Sequence, residues 1–294
     1  MSEINLNEIN LDEIRDTLVQ IAETAGKHIL EKSGTVKFDD KKNAVDLVTE
    51  VDKAVEDLVN STLKEKYPAF KFMGEESFVP GLTKLTDEPT FIVDPIDGTT
   101  NFIHFYPQAC ISLGFAINRK PVVGVIFNPF LNQLYVGVKG KGSYLNGQRL
   151  PLRPLGPLSL QGSLCAIEWG SDRSGPNFDA KVEAFRSLSA DKLQGGAFVH
   201  GFRSLGSAAL NLGSVAAGVC DSYWEGGCYA WDVCAGWVIL EEAGGMVVSG
   251  NKGNWHPEVT ERVYLAVRAG SKDEQRRYVE DYWNHLKGDL HYQH

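Results

Sequence analysis

The chain has 294 residues, 43% of them hydrophobic, and a formal net charge of -9. This charge argues against binding to nucleic-acid backbones, which depends on clustered Lys and Arg, and no apolar run is long enough to span a bilayer. The start of the chain lacks the basic region of a secretory signal and the five cysteines form no paired framework, so we expect a cytoplasmic protein.

Two helices are predicted first. Apolar residues recur at helical spacing over residues 11–29, and the spacing resumes at Asp46 and continues until Tyr67-Pro68 ends a second helix. A short apolar strand over residues 70–73 follows and presents Glu75 just beyond its end. Glu75 is therefore a candidate site residue.

The next stretch, F-I-V-D-P-I-D-G-T-T-N at residues 91–101, joins an apolar strand to two carboxylates. The strand is predicted to end just before Asp94, because Pro95 lacks the N–H that a strand ladder needs. Gly98 allows a ligand to approach the backbone closely, and Thr99 can cap a following helix. We interpret this stretch as the reaction centre.

Amide donors at the start of that helix favour an anion, so a phosphate group fits beside Asp94 and Asp97. Phosphate and carboxylates repel each other, and a hard divalent cation with oxygen ligands would hold them together. The alternative is that the two aspartates only cap and solvate a loop, as most Asp-Pro and Asp-Gly sequences do.

The rest of the chain alternates between strands and helices. Residues 109–118, 122–128 and 133–139 are predicted to form an antiparallel meander. Later elements are predicted as strands at 163–168, 220–224, 246–248 and 263–267 and helices at 206–218, 233–243 and 273–286. Prolines at 151–157 divide the chain into residues 1–150, with the metal and phosphate motifs, and 151–294, with the Trp231-Asp232 motif and substrate pocket. This order indicates an α+β layered architecture.

Four acidic residues lie at predicted element boundaries and could converge on one cleft: Glu75, Asp94, Asp97 and Asp232. Two like charges about 4 Å apart repel by roughly 4 kcal/mol at an effective dielectric near 20, so the cluster needs cations or raised pKa values. Bound magnesium resolves the conflict. The alternative makes Glu75 a loop acid and Asp232 a helix cap.

The sequence excludes several other phosphate chemistries. No cysteine precedes an arginine by six positions, as a thiol phosphatase loop requires, and Asp94-x-x-Asp97 differs from the D-x-D pattern of aspartyl-phosphate enzymes. The nucleotide loop G-x-x-x-x-G-K-[ST] and the G-x-S-x-G elbow are absent as well. Direct attack by metal-activated water remains.

Three motifs resemble the signatures of the inositol monophosphatase family. They are Gly74-Glu75-Glu76-Ser77, Asp94-Pro95-Ile96-Asp97-Gly98-Thr99-Thr100-Asn101-Phe102 and Trp231-Asp232-Val233-Cys234-Ala235-Gly236. The resemblance in their order and spacing extends over nearly the whole chain. The resemblance implies a layered α-β-α-β-α sandwich of the inositol monophosphatase and fructose-1,6-bisphosphatase type. It also implies a homodimer, two or three magnesium ions per site and inhibition by lithium.

The resemblance implies a role for each site residue. The implied metal ligands are Glu75, Asp94, Asp97, Asp232 and the carbonyl of Ile96. Asp52 with Thr99 would orient or deprotonate the water, and Glu75 joins them in the catalytic set. The implied substrate contacts are Glu75, Ile96, Asp97, Gly98, Thr99, Gly206, Ser207, Ala208, Glu225 and Asp232. Asp52 also fits another role, in a Thr49-x-x-Asp52 capping box at a helix start.

These features predict magnesium-dependent, lithium-sensitive hydrolysis of myo-inositol monophosphates to myo-inositol and phosphate. One alternative is a related phosphatase for a nucleotide 3'-phosphate or a sugar phosphate, and the other is a catalytically idle metal-binding scaffold. A compact pocket at Glu225 with few basic residues argues against the first, and the intact carboxylates argue against the second. Tyr229 stands where many family members have histidine, which bears on substrate breadth.

Overall fold

The computed structural model describes residues 9–33 and 41–293, and within the second helix it describes side chains from residue 50 onward. These residues form two β-sheets and seven α-helices. In this part of the chain no helix is both long and apolar enough to cross a membrane.

The first sheet contains the predicted reaction centre. Its strands are β1 Lys71–Gly74, β2 Thr90–Asp97, β3 Cys110–Ile117, β4 Lys120–Asn128, β5 Gln133–Val138, β6 Gly142–Leu145 and β7 Gln148–Arg149. They lie in sequence order, with β1 parallel to β2 and every later pair antiparallel. The predicted meander is confirmed.

The second sheet comes from the second half of the chain. Its strands are β8 Leu164–Ile167, β9 Gly201–Arg203, β10 Ser222–Gly226, β11 Met246–Ser249 and β12 Val263–Val267. Their order in the sheet is β11-β12-β10-β8-β9. The sequence did not predict β9, because three residues are too few to show an alternating pattern.

The helices fill three layers around the two sheets. They are α1 Leu11–Ser33, α2 Lys41–Lys66, α3 Thr99–Ile103, α4 Pro176–Ser189, α5 Ala208–Ala216, α6 Ala230–Glu242 and α7 Lys272–His285. An apolar cluster joins α1 and α2 to the first sheet, and α5 and α6 lie between the sheets, where α6 contacts β2 to β5 and β11. A third cluster joins α4 and α7 to the second sheet. The α-β-α-β-α sandwich is confirmed.

Glycines let α6 approach the first sheet closely. A Cβ on Gly124 of β4 would lie 2.2 Å from the Ala235 carbonyl oxygen, and one on Gly114 of β3 would lie 2.5 Å from the Cys234 sulfur. Real Cβ atoms do not make such contacts, so these positions need glycine. The close packing fixes the first turn of α6, which contains Asp232, over the end of β2.

Two boundaries differ from expectation. The second helix begins at Lys41 rather than Asp46, so Asp52 lies in its middle, and the helix predicted from Val233 begins at Ala230. The division of the chain at residue 150 stays a prediction: each half provides one sheet, but α6 of the second half packs on strands of the first.

Candidate active site

Strand β2 carries Asp94 and Asp97 into the protein interior. Every residue of β2 is buried, and Asp94 and Asp97 are 2% and 7% exposed. The strand does not end before Asp94 as expected but continues to Asp97, and its register with β3 shifts between the two aspartates. The missing N–H of Pro95 therefore interrupts the pairing locally instead of ending the strand.

A sharp turn follows at Gly98. Its φ is 96°, and a Cβ there would lie 2.7 Å from the Gln108 carbonyl oxygen, so both conformation and space require glycine. Gly98 is the N-cap of α3, and no side chain caps this helix, so the prediction that Thr99 caps it is wrong. The Thr99 hydroxyl donates instead to the Ile96 carbonyl oxygen at 3.2 Å.

Asp97 lies at the N-terminal end of α5. Its Oδ2 accepts hydrogen bonds from the Ser207 hydroxyl at 2.6 Å and the Ala209 amide at 2.7 Å, and its Oδ1 accepts one from the Ala208 amide at 3.3 Å. Ser207 is also the N-cap of α5, since its hydroxyl oxygen accepts from the Leu210 amide at 3.2 Å. Two predicted substrate contacts, Ser207 and Ala208, thus lie directly against a predicted metal ligand.

Asp232 reaches the same place from the first turn of α6. Its Oδ2 accepts a hydrogen bond from the Tyr229 amide at 2.6 Å. Asp94, Asp97 and Asp232 each offer a carboxylate oxygen, and these atoms all lie within 4.8 Å of one another. Three carboxylates at this spacing could hold a metal ion.

Burial and mutual repulsion raise the pKa of each of these acids. For Asp94 the causes are burial and then the charges of Glu75, Asp97 and Asp232. Burial raises the pKa of Asp97 to about 6, although hydrogen bonds from Ser207 and from the α5 amides oppose the shift. Burial and the charge of Asp97 raise the pKa of Asp232. The protein alone therefore disfavours the charged forms that a bound cation would favour.

Glu75 adds a fourth carboxylate. Its amide donates to the Val93 carbonyl oxygen at 3.1 Å, because β1 and β2 run parallel and end at the same edge. The residue as a whole is exposed to solvent, but its carboxyl group contacts Asp94 of the cluster. Burial of that group and the charge of Asp97 raise its pKa to about 7, while a hydrogen bond with Asp94 opposes the shift. Glu75 therefore lies against Asp94 at the side of the cluster, whereas among these described acids only the three aspartates have oxygens that all lie within 4.8 Å of one another.

The surroundings of one buried carboxylate oxygen indicate whether a metal ion would fit this site. Asp94 Oδ1 has no hydrogen-bond partner among the described residues, although it is buried. A buried polar atom without a partner costs about 1–3 kcal/mol, and carboxylate oxygens are the ligands that magnesium prefers. The donor set therefore fits a hard divalent cation.

Asp52 is buried in the middle of α2, with 4% of its surface exposed. The helix-start interpretation is therefore wrong. Its Oδ1 lacks a hydrogen-bond partner among the described residues, and burial together with the charges of Glu75, Glu76 and Glu56 raises its pKa to about 8. Since the Thr99 hydroxyl binds a carbonyl oxygen, the joint action of Asp52 and Thr99 on water stays a prediction.

Glu225 lies in β10, half-buried, and accepts a hydrogen bond from the Tyr223 hydroxyl. Burial and then the charge of Glu168 raise its pKa to about 8, and Asp97 contributes to the shift while Lys181 opposes it. Glu225 is therefore close enough to the acidic cluster for their charges to interact.

The sequence interpretation missed Glu168, which follows β8 and is 8% exposed. Its Oε1 accepts hydrogen bonds from the amides of Leu205 and Gly206 at 2.6 and 2.9 Å and from the Asn211 side chain at 2.8 Å. The predicted substrate contact Gly206 thus directs its amide to Glu168. An acid at the end of a strand is the signal that identified Asp94, and it would have identified Glu168 too.

Glu56 was also missed. It is 3% exposed and lies on α2, one turn after Asp52, where its Oε2 accepts from the Glu76 amide at 2.8 Å. A Cβ on Gly74 would lie 2.3 Å from the same oxygen, so a larger residue there would displace the Glu56 carboxyl group. An acid on the buried stripe of an amphipathic helix is the signal that could have found Glu56.

Tyr229 takes part in an aromatic stack. Its ring lies 4.5 Å from the Trp231 ring at 11°, and the Arg262 guanidinium lies 3.5 Å from the ring centroid on Tyr229. Tyr229 thus lies between the Trp231 ring and the Arg262 guanidinium, directly beside the turn of α6 that contains Asp232.

Comparison with known proteins agrees with this geometry. Residues 10–287 match the inositol monophosphatase family. The chain is 52% identical to inositol monophosphatase 2 of Saccharomyces cerevisiae over 289 residues, which cover 96% of this chain and 98% of that protein.

Solved structures show the same likeness. The inositol monophosphatase of Anabaena (Nostoc) sp. PCC 7120 superposes with a TM-score of 0.74 at 31% identity, covering 92% of this chain and 96% of that one. SaIMPase-II with inositol monophosphate bound has a TM-score of 0.71 at 26% identity, covering 92% and 95%. It has also been solved with 2'-AMP bound. The chain therefore belongs to the inositol monophosphatase family.

Proposed function

We propose that this protein hydrolyses myo-inositol monophosphates to myo-inositol and inorganic phosphate and depends on magnesium. The observation that carries the proposal is the group of the buried Asp94 and Asp97 and the half-buried Asp232, with the unpartnered Asp94 oxygen, in a chain of the inositol monophosphatase family. Clustered carboxylates would repel a phosphate group unless bound cations lay between them. Metal ions commonly play this part in phosphoryl transfer.

Glu75, Asp94, Asp97 and Asp232, with the Ile96 carbonyl, would hold two or three magnesium ions. Bound magnesium would supply charge neutralisation and a water of lowered pKa. The amides of Gly98 and Thr99, at the start of α3, would orient the phosphate. Asp52 with Thr99 would orient the reacting water or take its proton.

Phosphate release tests this proposal. The substrates are inositol 1-phosphate, adenosine 3'-phosphate and glucose 1-phosphate, each with magnesium and with a chelator. We expect the highest kcat/KM for inositol 1-phosphate and no release with the chelator. The highest value for adenosine 3'-phosphate would favour the nucleotide alternative, and no release from any substrate would favour the idle scaffold.

Lithium should inhibit uncompetitively with respect to inositol 1-phosphate. The reason is that lithium would take one magnesium position after the reaction and retain the phosphate product. Initial rates at several lithium and substrate concentrations measure this, and purely competitive inhibition would contradict it.

Replacing Asp52 by Asn should lower kcat by about a hundred-fold, which is the lower end of the typical contribution of a general base to the rate. The substitution should leave the fold intact. The amide keeps the shape of the side chain but cannot take a proton. Asp57→Asn, on the exposed face of the same helix, is the control. If Asp52→Asn lowers the melting temperature while the folded protein turns over normally, Asp52 has a structural role only.

Glu225→Ala should lower kcat/KM for inositol 1-phosphate about ten-fold to a hundred-fold, because a charge-assisted hydrogen bond to a ring hydroxyl is lost. It should spare 4-nitrophenyl phosphate, which has no ring hydroxyl. Glu183→Ala, at an exposed position of α4, is the control. Equal losses on both substrates would place Glu225 among the metal ligands, and no loss on either would exclude a substrate contact.

We also propose a cytoplasmic homodimer. All five cysteines are buried and unpaired, which suits a reducing compartment. Large apolar side chains are exposed on and after α4, with Phe185 at 42%, Leu193 at 97% and Phe198 at 49%, and a partner subunit would cover them. Light scattering measures the mass, and a monomer at micromolar concentration would contradict the dimer.

A further inference from the structure

Residues 288–293, beyond α7, lie outside the matched family region, which ends at residue 287. Two asparagine side chains hold its backbone by paired hydrogen bonds. Asn251 accepts from the Leu290 amide at 2.9 Å and donates to the Leu290 carbonyl at 2.8 Å. Asn177 makes the same pair with His291, at 2.8 and 2.9 Å. Since Leu290 is also 2% exposed, residues 290–293 are built into the fold and form what we call the terminal brace.

The brace covers the two residues after Glu225. A Cβ on Gly226 would lie 2.7 Å from both Leu290 Cδ1 and Tyr292 Cε2, and one on Gly227 would lie 3.2 Å from Tyr292 Cε1. The Tyr292 ring therefore packs against glycine backbone that leaves no room for a side chain.

The brace also reaches the loop that follows Glu168. The Tyr292 hydroxyl donates to Asp172 Oδ2 at 2.7 Å. Lys181, only 1% exposed, donates to the Trp169 carbonyl at 2.8 Å and places its ammonium 5.7 Å from the centroid of the Tyr292 ring. One aromatic side chain thus contacts both loops beside the cleft.

Arg262 ties the brace to the Glu225 loop a second time. Its guanidinium donates to the carbonyl oxygens of Gly227, Cys228 and Gln293, each at 2.6 Å. All three acceptors are backbone atoms, so the contact fixes the course of the chain and does not depend on neighbouring side chains.

We propose that Tyr292 is a positioning residue for substrate discrimination: the terminal brace holds the loops after Glu168 and Glu225 in a fixed relation, so that Glu225 meets the ring hydroxyls. The inference rests on the proposed function of the same site. Glu225 lies one residue before the end of β10, and Gly226 and Gly227 follow it without side chains that would restrict the backbone, so packing by Tyr292 limits movement of the chain just after Glu225. Small displacements of a positioning group are costly in rate.

The kinetic test compares Tyr292→Ala and Tyr292→Phe with Tyr144→Ala, a half-buried tyrosine in β6, as control. We expect Tyr292→Ala to lower kcat/KM for inositol 1-phosphate about ten-fold and to leave 4-nitrophenyl phosphate within about two-fold. Tyr292→Phe, which loses only the bond to Asp172, should have a smaller effect of the same kind. In a Glu225→Ala background, Tyr292→Ala should add no further loss.

Hydrogen exchange separates failure of the brace from failure of the proposed function. Tyr292→Ala should speed exchange in peptides over residues 224–228 and 169–173 roughly ten-fold, with Tyr144→Ala unchanged. Unchanged exchange, or equal losses on both substrates, would overturn the brace. If Tyr292→Ala speeds exchange but the wild-type protein shows no preference for inositol 1-phosphate, the brace is upheld as a loop-holding device and the substrate assignment is overturned.

Discussion

Asp97→Asn should reduce kcat/KM for inositol 1-phosphate about a thousand-fold or more at saturating magnesium. This corresponds to the loss of several kcal/mol of charge stabilisation in the transition state. The amide lacks the negative charge that would balance magnesium. Asp97 lies within 4.8 Å of the oxygens of both Asp94 and Asp232, so its charge bears on the whole site. Phosphate release at rising magnesium measures the effect.

The same substitution should leave the protein folded. Asn can keep its carbonyl oxygen at the Oδ2 position, where Ser207 and Ala209 donate at 2.6 and 2.7 Å. Its amide nitrogen then faces the Ala208 amide, which loses a 3.3 Å hydrogen bond worth about 1 kcal/mol. Removal of a like charge beside Asp94 and Asp232 opposes that loss in metal-free protein.

The control for Asp97→Asn is Asp87→Asn, an exposed aspartate that pairs with Arg119 at 3.0 Å. Its activity should match the wild type, since exposed ion pairs contribute little. Thermal unfolding with circular dichroism establishes that both variants are folded. Turnover of Asp97→Asn near the wild-type rate would exclude Asp97 as a metal ligand.

The layered fold could be predicted because its strands and helices show clear periodicity and because motifs at strand ends indicate where the site lies. The positions of Asp94 and Asp97 illustrate the limit of that reasoning. Pro95 correctly indicated an interrupted ladder, but only tertiary packing decides whether a strand ends or bulges, and β3 continues to pair beyond the interruption.

The contacts within the site could not be predicted for a similar reason. Ser207 and Asp97 are 110 positions apart, and no local pattern shows that a helix start in the second half binds an aspartate in the first. Helix α2 begins before the expected Asp46, because a polar start gives weak periodicity. Glu168 and Glu56 carried detectable signals, whereas the terminal brace depends on side-chain contacts between distant segments.

The metal-free protein should become less stable as the pH rises from about 4, where the unfolded acids titrate, to about 8.5. Burial and neighbouring carboxylates raise the folded-state pKa of Asp97 to about 6, of Asp52 to about 8 and of Glu225 to about 8, whereas unfolded acids titrate near 4. Because the folded state binds these protons more tightly, their contribution is complete below the unfolded pKa and is lost as the pH passes through the folded values. His285 acts in the opposite sense, since burial lowers its pKa.

Magnesium should reverse this loss, because the metal binds the deprotonated carboxylates. At a hundred-fold excess over its Kd, magnesium would add about 2.7 kcal/mol of stability, or roughly 5 °C in melting temperature for a chain of this size. The shift should grow with pH and should be largely absent in Asp97→Asn. Thermal unfolding in chelator and in magnesium at several pH values measures both effects. A metal-free protein that is most stable near pH 8.5 would show that burial and neighbouring charges do not raise the pKa values of these carboxyl groups in the folded state.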